Sequence, residues 1–165
     1  MPENKYVEMI CHLAEQPKTE APPPEGFEVR PLSTADNDSL YPCYYAAFQA
    51  GDARFFFDQG EAEKRAYFDT LGLAEARNEP GSTLILKDSV IVGFTYVIPY
   101  REANRHISCM VVHPGYQRQG LGAFMVQYAI RNAAAGGCKS ITLGTDTTMG
   151  AFQLYRKHGF EILEK

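Results

Sequence analysis

The sequence predicts an α/β (α+β) fold, in which helices cover both faces of a mixed, mostly antiparallel sheet with a parallel pair of strands at its centre. Three observations predict it. Segments that alternate apolar and polar residues alternate in turn with helical segments along the 165 residues. Two apolar runs, 83–86 and 90–98, are separated by a short polar turn and form a hairpin. A strand–helix–strand unit over 106–143 predicts a right-handed parallel crossover.

The first part of the chain holds two predicted strands separated by prolines. Residues 6–13 alternate well enough for a short strand. Residues 16–25 include four prolines, which favour a stiff, extended linker over a helix. Residues 27–32 alternate at period two and form the second strand. The sequence therefore divides into an N-terminal strand with a Pro-rich linker, 1–26, and one domain, 27–165.

The middle of the chain combines two helical segments with the hairpin. Residues 40–50 are rich in aromatic side chains and end at Gly51, a typical helix stop. Residues 61–77 form the second predicted helix, with apolar side chains among exposed charges. The hairpin follows, and its turn is the polar segment 87–89.

The last part of the chain alternates strands and helices. Residues 106–112 form a strand that Pro114 stops. A helix is predicted over Leu121–Ala135, because apolar residues recur there at helical spacing before two glycines. The remaining predicted elements are a strand at 140–143, a helix at 149–158 and a last strand at 160–163.

The composition excludes several classes of function. The formal net charge is −4 and there is no basic block, so nucleic acid is a poor candidate partner. No apolar run approaches the roughly 20 residues that a membrane helix needs, so we expect no membrane segment. The four widely spaced cysteines form no CxxC pair and predict reduced thiols in a cytoplasmic protein. The four histidines lack metal-ligand spacing, so no metal site is expected.

A Gly-rich turn between the strand 106–112 and the following helix is the feature that predicts chemistry. Backbone N–H groups at a helix N-terminus lack internal partners and bind anions, and Gly120 and Gly122 leave the backbone accessible to a pyrophosphate. Arg118 adds a charge. A Walker loop would need Lys-Ser or Lys-Thr after Gly120, and a dinucleotide fingerprint would need glycine where Met125 stands. On this loop alone, a plain strand–helix turn remains open as an alternative.

Two motifs in order resemble the GCN5-related N-acetyltransferases. The first is Gln117-x-x-Gly120-x-Gly122 after Val-x-Pro, which is similar to that family's acyl-CoA-binding signature. The second is the segment 151–160, a predicted helix that carries Tyr155 and closes in Gly-Phe. One helix and one strand lie between the motifs, as in the family, and the order of elements resembles the family over 27–165.

The resemblance implies an acetyl-CoA-dependent transferase and the residues that serve it. The strand ending at Val112 is expected to splay from its parallel neighbour, so that backbone groups there pair with the pantetheine arm. Tyr155 would protonate the leaving thiolate as general acid, and Phe152 would line the cofactor groove. The residues implied in cofactor binding are Met110, Val111, Val112, Gln117, Arg118, Gln119, Gly120, Leu121, Gly122, Ala123, Phe152 and Tyr155.

The acceptor is expected to be a primary amine, on a small molecule or at a peptide N-terminus. Glu102, His106 and Asp146 are candidates for the general base, since they lie near predicted strand ends. A non-catalytic acyl-CoA-binding module and a transferase that uses a longer acyl chain remain alternatives. The aromatic run 55–57 and the tyrosines at 41, 44 and 45 favour core or a helix lid; exposed, they would indicate an aromatic or apolar acceptor.

The sequence departs from the family pattern in two places. Met149 stands where the family often has Asn, six residues before the tyrosine. The chain also has one predicted strand at its end, where the family has a strand hairpin. We therefore predict that residues 6–13 supply the missing sheet partner near Ile162, either from the same chain or from the second copy in a homodimer.

Overall fold

The computed structural model describes residues 6–15, 22–32, 35–51, 53–147 and 150–163. Seven strands form one sheet in the order β2-β3-β4-β5-β6-β1-β7. Every neighbouring pair is antiparallel except β5 and β6, which run parallel. The strands are β1 (Tyr6–His12), β2 (Glu28–Pro31), β3 (Thr83–Lys87), β4 (Val90–Pro99), β5 (Asn104–Val112), β6 (Ser140–Asp146) and β7 (Glu161–Ile162).

Helices cover both faces of the sheet, as the sequence predicts. Short 3₁₀ turns follow β1 (Leu13–Glu15) and β5 (Pro114–Tyr116). Four α-helices pack with Phe94 and Tyr96 of β4 on one face, and two pack with Ile141 and Leu143 of β6 on the other. The first four are α1 (Asn37–Gln49), α2 (Arg54–Phe57), α3 (Glu61–Asp69) and α4 (Leu73–Ala76), and the other two are α5 (Leu121–Ala135) and α6 (Gly150–Lys157).

The helical region before β3 differs from the prediction of one helix over 61–77. Helix α3 ends at Asp69, and Gly72 takes a left-handed conformation with φ 95° before α4 begins. A residue in that conformation interrupts the hydrogen-bond ladder of a helix, and glycine adopts it without steric cost. Helix α2 was not predicted, because its four residues are too short for a periodic signal. Part of the Pro-rich linker, 16–21, and Met149 lie outside the described residues.

Strand β1 completes the sheet within the same chain. It pairs with β6 along its whole length and with β7 through Met9 and Ile162. Met9 and Cys11 are fully buried among residues of α5, α6 and β6. The prediction that 6–13 supplies the sheet partner near Ile162 is confirmed, and the pairing needs no second copy of the chain.

A β-bulge in β5 opens the centre of the sheet. Tyr96 pairs with Cys109 and Val97 pairs with Ile107, so Ser108 is an extra residue in β5. Pairing between β5 and β6 ends at the same point, with Ile107 opposite Leu143. Beyond it both strands continue without pairing to each other. The parallel pair therefore splays into a V-shaped gap, whose sides are the last residues of β5 and of β6.

Within the described ranges, no helix is long and apolar enough to span a membrane. No group of three or more His, Cys, Asp or Glu side chains among those residues is arranged to hold a metal ion.

Candidate active site

Two cavities meet at the V-shaped gap. The larger encloses about 890 Å³. It is bordered by the start of β1, the end of β6 and the helices α1, α2 and α3. We call it the acceptor cleft. The smaller, of about 590 Å³, runs from the end of β5 to the N-terminus of α5, and we call it the cradle groove. Both are lined by Phe48, Met110, Ala151 and Tyr155, so they adjoin at those side chains.

The cradle groove ends at the first turn of α5. Gly120 caps this helix in a left-handed conformation, φ 84°, without a side-chain hydrogen bond. The first intrahelical bond runs from the Phe124 N–H to the Gly120 carbonyl, 3.0 Å. The N–H groups of Leu121, Gly122 and Ala123 are therefore the unpaired donors of the helix N-terminus, where the helix dipole also places partial positive charge.

The shape of this turn leaves room for an anion. A Cβ atom built on Gly120 would have no atom within 4 Å, so the space beside its Cα is open. A Cβ on Gly122 would lie 3.0 Å from Leu154, so this glycine permits α6 to approach. Arg118 also has a positive φ, 64°, and lines the groove. A non-glycine residue in that region is strained, and such strain concentrates at binding turns. Gln119, which the sequence also implied in cofactor binding, lies in the same turn but is not among the residues that line the groove.

The end of β5 presents backbone groups to the gap. The His113 N–H donates to the Val92 carbonyl of β4, 2.8 Å. Because an antiparallel ladder alternates, the backbone groups of Val111 face β4, and those of Met110 and Val112 face the gap. The Gln117 side chain donates to the Val112 carbonyl, 3.2 Å, which ties the turn to the strand. Gln117 therefore holds the Gly-rich turn against the end of β5.

Helix α6 forms the opposite wall of the groove. Ala151, Leu154 and Tyr155 line it at helical spacing. Phe152, which the sequence placed in the groove, packs instead into the core cluster beneath α6, because it lies about 100° around the helix from Ala151. Leu154 lines the groove in its place. Its spacing from Ala151 was the signal in the sequence that could have identified it.

Tyr155 lies where the two cavities join and is 7% exposed. Burial raises the pKa of the Tyr155 hydroxyl well above its usual range, and the neighbouring Cys109 adds to the shift. The hydroxyl therefore keeps its proton at neutral and mildly alkaline pH. Burial also raises the pKa of the Cys109 thiol, so that this cysteine stays a thiol and is a poor nucleophile.

Of the three candidate bases, the acceptor cleft holds Asp146. It is half-buried at the end of β6. Glu102 is exposed in the loop before β5, at the opposite end of that strand, and lines neither cavity. His106 lies within the paired part of β5 and β6, where its Nδ1 is 2.8 Å from the Thr142 hydroxyl. The cleft also contains Asp58, which sequence reasoning did not select, because no motif surrounds it.

His106 is expected to make stability depend on pH. Desolvation lowers the pKa of His106 from its usual 6.5, against a smaller opposing effect of Glu8. The unfolded chain therefore binds the proton more readily, and this contribution to stability is lost as pH falls below about 6.5. Replacing His106 with Gln removes that titration and leaves a polar partner for Thr142. The melting temperature of the variant should fall less than that of wild type between pH 7 and pH 5; equal slopes would contradict the assignment.

The model of the acetyltransferase (GNAT) family matches residues 37–160, which is more than half of the chain and contains the cradle, the gap and α6. The chain belongs to this family. GNAT membership supports acyl transfer as the general activity, with acyl-CoA as donor and an amine as acceptor.

A mammalian protein is a curated relative. The chain is 32% identical over 102 residues to the mouse (Mus musculus) cysteine-rich protein 2-binding protein. The match covers 59% of this chain and 12% of the relative. This GNAT chain therefore spans about an eighth of the length of that relative.

Solved GNAT structures share the fold. A GCN5-related N-acetyltransferase from Sphaerobacter thermophilus has a TM-score of 0.74 and 18% identity, over 99% of this chain and 50% of that one. The PaiA N-acetyltransferase from Thermoplasma acidophilum, solved in complex with coenzyme A, has a TM-score of 0.65 and 16% identity, over 84% of this chain and 92% of that one. Both likenesses show that this chain has the GNAT fold, a mixed sheet covered by helices.

Proposed function

We propose that the protein transfers an acetyl group from acetyl-CoA to a primary amine by direct attack within a ternary complex. The observation that supports this most is the junction of the two cavities at Met110 and Tyr155. A donor in the cradle groove and an acceptor in the cleft would meet there. Holding two reactants in line is the main requirement of direct transfer.

The residues of the cradle groove fit acetyl-CoA, which supplies an activated thioester when bound. The N–H groups of Leu121, Gly122 and Ala123 would hold the pyrophosphate, with Arg118 adding a charge-assisted contact. The gap-facing backbone groups of Met110 and Val112 would hold the extended pantetheine arm. The Val112 N–H would donate a hydrogen bond to the thioester oxygen as negative charge develops there.

Two side chains are proposed to move protons. Tyr155 would donate its hydroxyl proton to the departing thiolate, for which a raised pKa keeps it protonated. Asp146 would accept the proton of the attacking ammonium, directly or through water, since an amine must be neutral to attack. The mechanism needs no nucleophilic cysteine, in agreement with the buried, protonated thiol of Cys109.

The proposal is tested by thiol release from acetyl-CoA across a panel of primary amines. Release that depends on an amine supports transfer. Tight acetyl-CoA binding with no release for any amine would instead support a binding module without catalysis. A series of acyl-CoAs of increasing chain length, run with the best amine, decides between acetyl and longer acyl donors.

Replacing Asp146 with Asn is expected to lower kcat about 100-fold, the usual range for loss of a general base. The loss should shrink as pH rises and the free amine becomes more abundant. Glu102→Gln is the matched control, because it neutralises an exposed carboxylate outside both cavities. Equal kcat values for the two variants would remove Asp146 from the mechanism.

A further inference from the structure

The mouth of the acceptor cleft is formed by three exposed aromatic rings. Tyr6 is 71% exposed, and Phe55 and Tyr67 are each 42% exposed. They come from β1, α2 and α3, which meet only in the folded chain. Large aromatic side chains gathered at one exposed site indicate a ligand that covers them.

The rings continue from the mouth into the cleft. The Tyr67 and Phe55 ring centroids are 5.6 Å apart, and those of Phe55 and Phe48 are 5.4 Å apart. Phe48 in turn borders the junction with the cradle groove, beside Tyr155. An apolar path therefore leads from solvent to the point of proposed transfer, with spacings suited to edge-to-face and tilted ring contacts.

Tyr6 closes the other side of the cleft, over Gly144 of β6. A Cβ atom on Gly144 would overlap the Tyr6 hydroxyl, so this glycine makes room for the end of the Tyr6 side chain. Partial burial raises the pKa of the Tyr6 hydroxyl, and the nearby Tyr67 adds to the shift. Both tyrosines line the cleft.

The charges of the cleft suit a single cation. Its charged lining side chains, among the described residues, are Asp58, Asp146 and Arg54. Two carboxylates and one guanidinium give a net charge of about −1, which matches one ammonium group. A polyamine would present several cations, and the described part of the lining holds no further carboxylate to receive them. It would also leave the rings uncovered. Aromatic faces also attract an ammonium group directly.

We propose, on the basis of the acetyl transfer proposed above, that the acceptor is an arylalkylamine: a primary amine on a short chain that carries an aromatic ring. Its ring packs between Tyr6, Phe55 and Tyr67. Its ammonium group points inward to Asp146 and Tyr155. The ring contacts set affinity for the acceptor, and the inner residues carry out proton transfer.

Binding calorimetry on the coenzyme A-loaded protein tests this without requiring turnover. The probes are 2-phenylethylamine and n-butylamine, which carry the same charge and differ in the ring. We expect 2-phenylethylamine to bind about 10-fold more tightly, the scale of one or two favourable ring contacts. Phe55→Ala and Tyr67→Ala should each remove most of that difference. Phe57→Ala is the matched control, since Phe57 lies on the same helix, is 46% exposed and does not line the cleft.

The outcomes separate the acceptor class from the transfer reaction. Equal affinity for the two amines, a preference for spermidine, or equal effects of Phe55→Ala and Phe57→Ala would each overturn the arylalkylamine assignment. A ring preference that Phe55→Ala removes, with no thiol released from acetyl-CoA, would refute acetyl transfer and leave the aromatic site standing. Thiol release that is faster with n-butylamine would refute the aromatic site and leave acetyl transfer standing.

Discussion

Replacing Gly120 with Glu is expected to raise the dissociation constant for acetyl-CoA at least about 100-fold, because a carboxylate would occupy the place of the pyrophosphate. The side chain would project into the open space of the cradle groove, beside the unpaired N–H groups of the first turn of α5. Like charge would then replace the attraction that the helix N-terminus offers to phosphate. Calorimetric titration with acetyl-CoA and with coenzyme A measures the loss.

Gly137→Glu is a closely matched control. Gly137 follows the other end of the same helix, also has a left-handed conformation, φ 81°, and also has open space around its Cα. Both variants therefore meet a similar backbone strain, roughly 1–2 kcal/mol. Glutamate opposes the dipole at that end of the helix, so Gly137→Glu should be the less stable variant and still bind acetyl-CoA normally. Similar affinities for the two variants would refute the cradle.

Replacing Tyr155 with Phe is expected to lower kcat about 100-fold and to leave the affinity for acetyl-CoA nearly unchanged, as for loss of a general acid. The ring, its contact with Phe160 and its place in the core are retained, so the change removes the hydroxyl alone. Single-turnover kinetics with saturating acetyl-CoA isolate the transfer step.

The role of Tyr155 is tested by the pH profile together with removal of a second hydroxyl. Because burial raises the pKa of Tyr155, wild-type turnover should show no loss from deprotonation of this group below about pH 10, the usual tyrosine value. Tyr128→Phe, on α5 and outside both cavities, is the control for removal of a hydroxyl. If kcat of Tyr155→Phe matches that of Tyr128→Phe, Tyr155 serves packing only.

The sequence predicted well what a continuous segment encodes. Period-two alternation located the strands, and the glycines at 120 and 122 marked the helix start where unpaired N–H groups gather. Residues 6–13 could be assigned to the sheet because a strand with an apolar face needs a partner. These properties depend on neighbours in the chain, so a single sequence displays them.

The acceptor cleft was not predictable in the same way. Tyr6, Phe55, Tyr67 and Asp146 are far apart in the chain, and only the packing of β1, α2, α3 and β6 brings them to one cavity. The exposed fractions of the side chains distinguish the members of the aromatic run 55–57. Phe56 is buried in the core, and its two neighbours are exposed. A run of three identical residues carries no periodic signal to show which one turns inward.

The insertion of β1 between β6 and β7 has a consequence for how the chain folds. Strand β1 pairs with β6 and β7, which are synthesised after all the other strands of the sheet. Until then β6 has one paired edge and one open edge, which is a template for pairing with other chains. Contacts between such distant segments are slow to form. We therefore expect docking of β1 to be the late step of folding, and the sheet to be most prone to aggregation immediately before it.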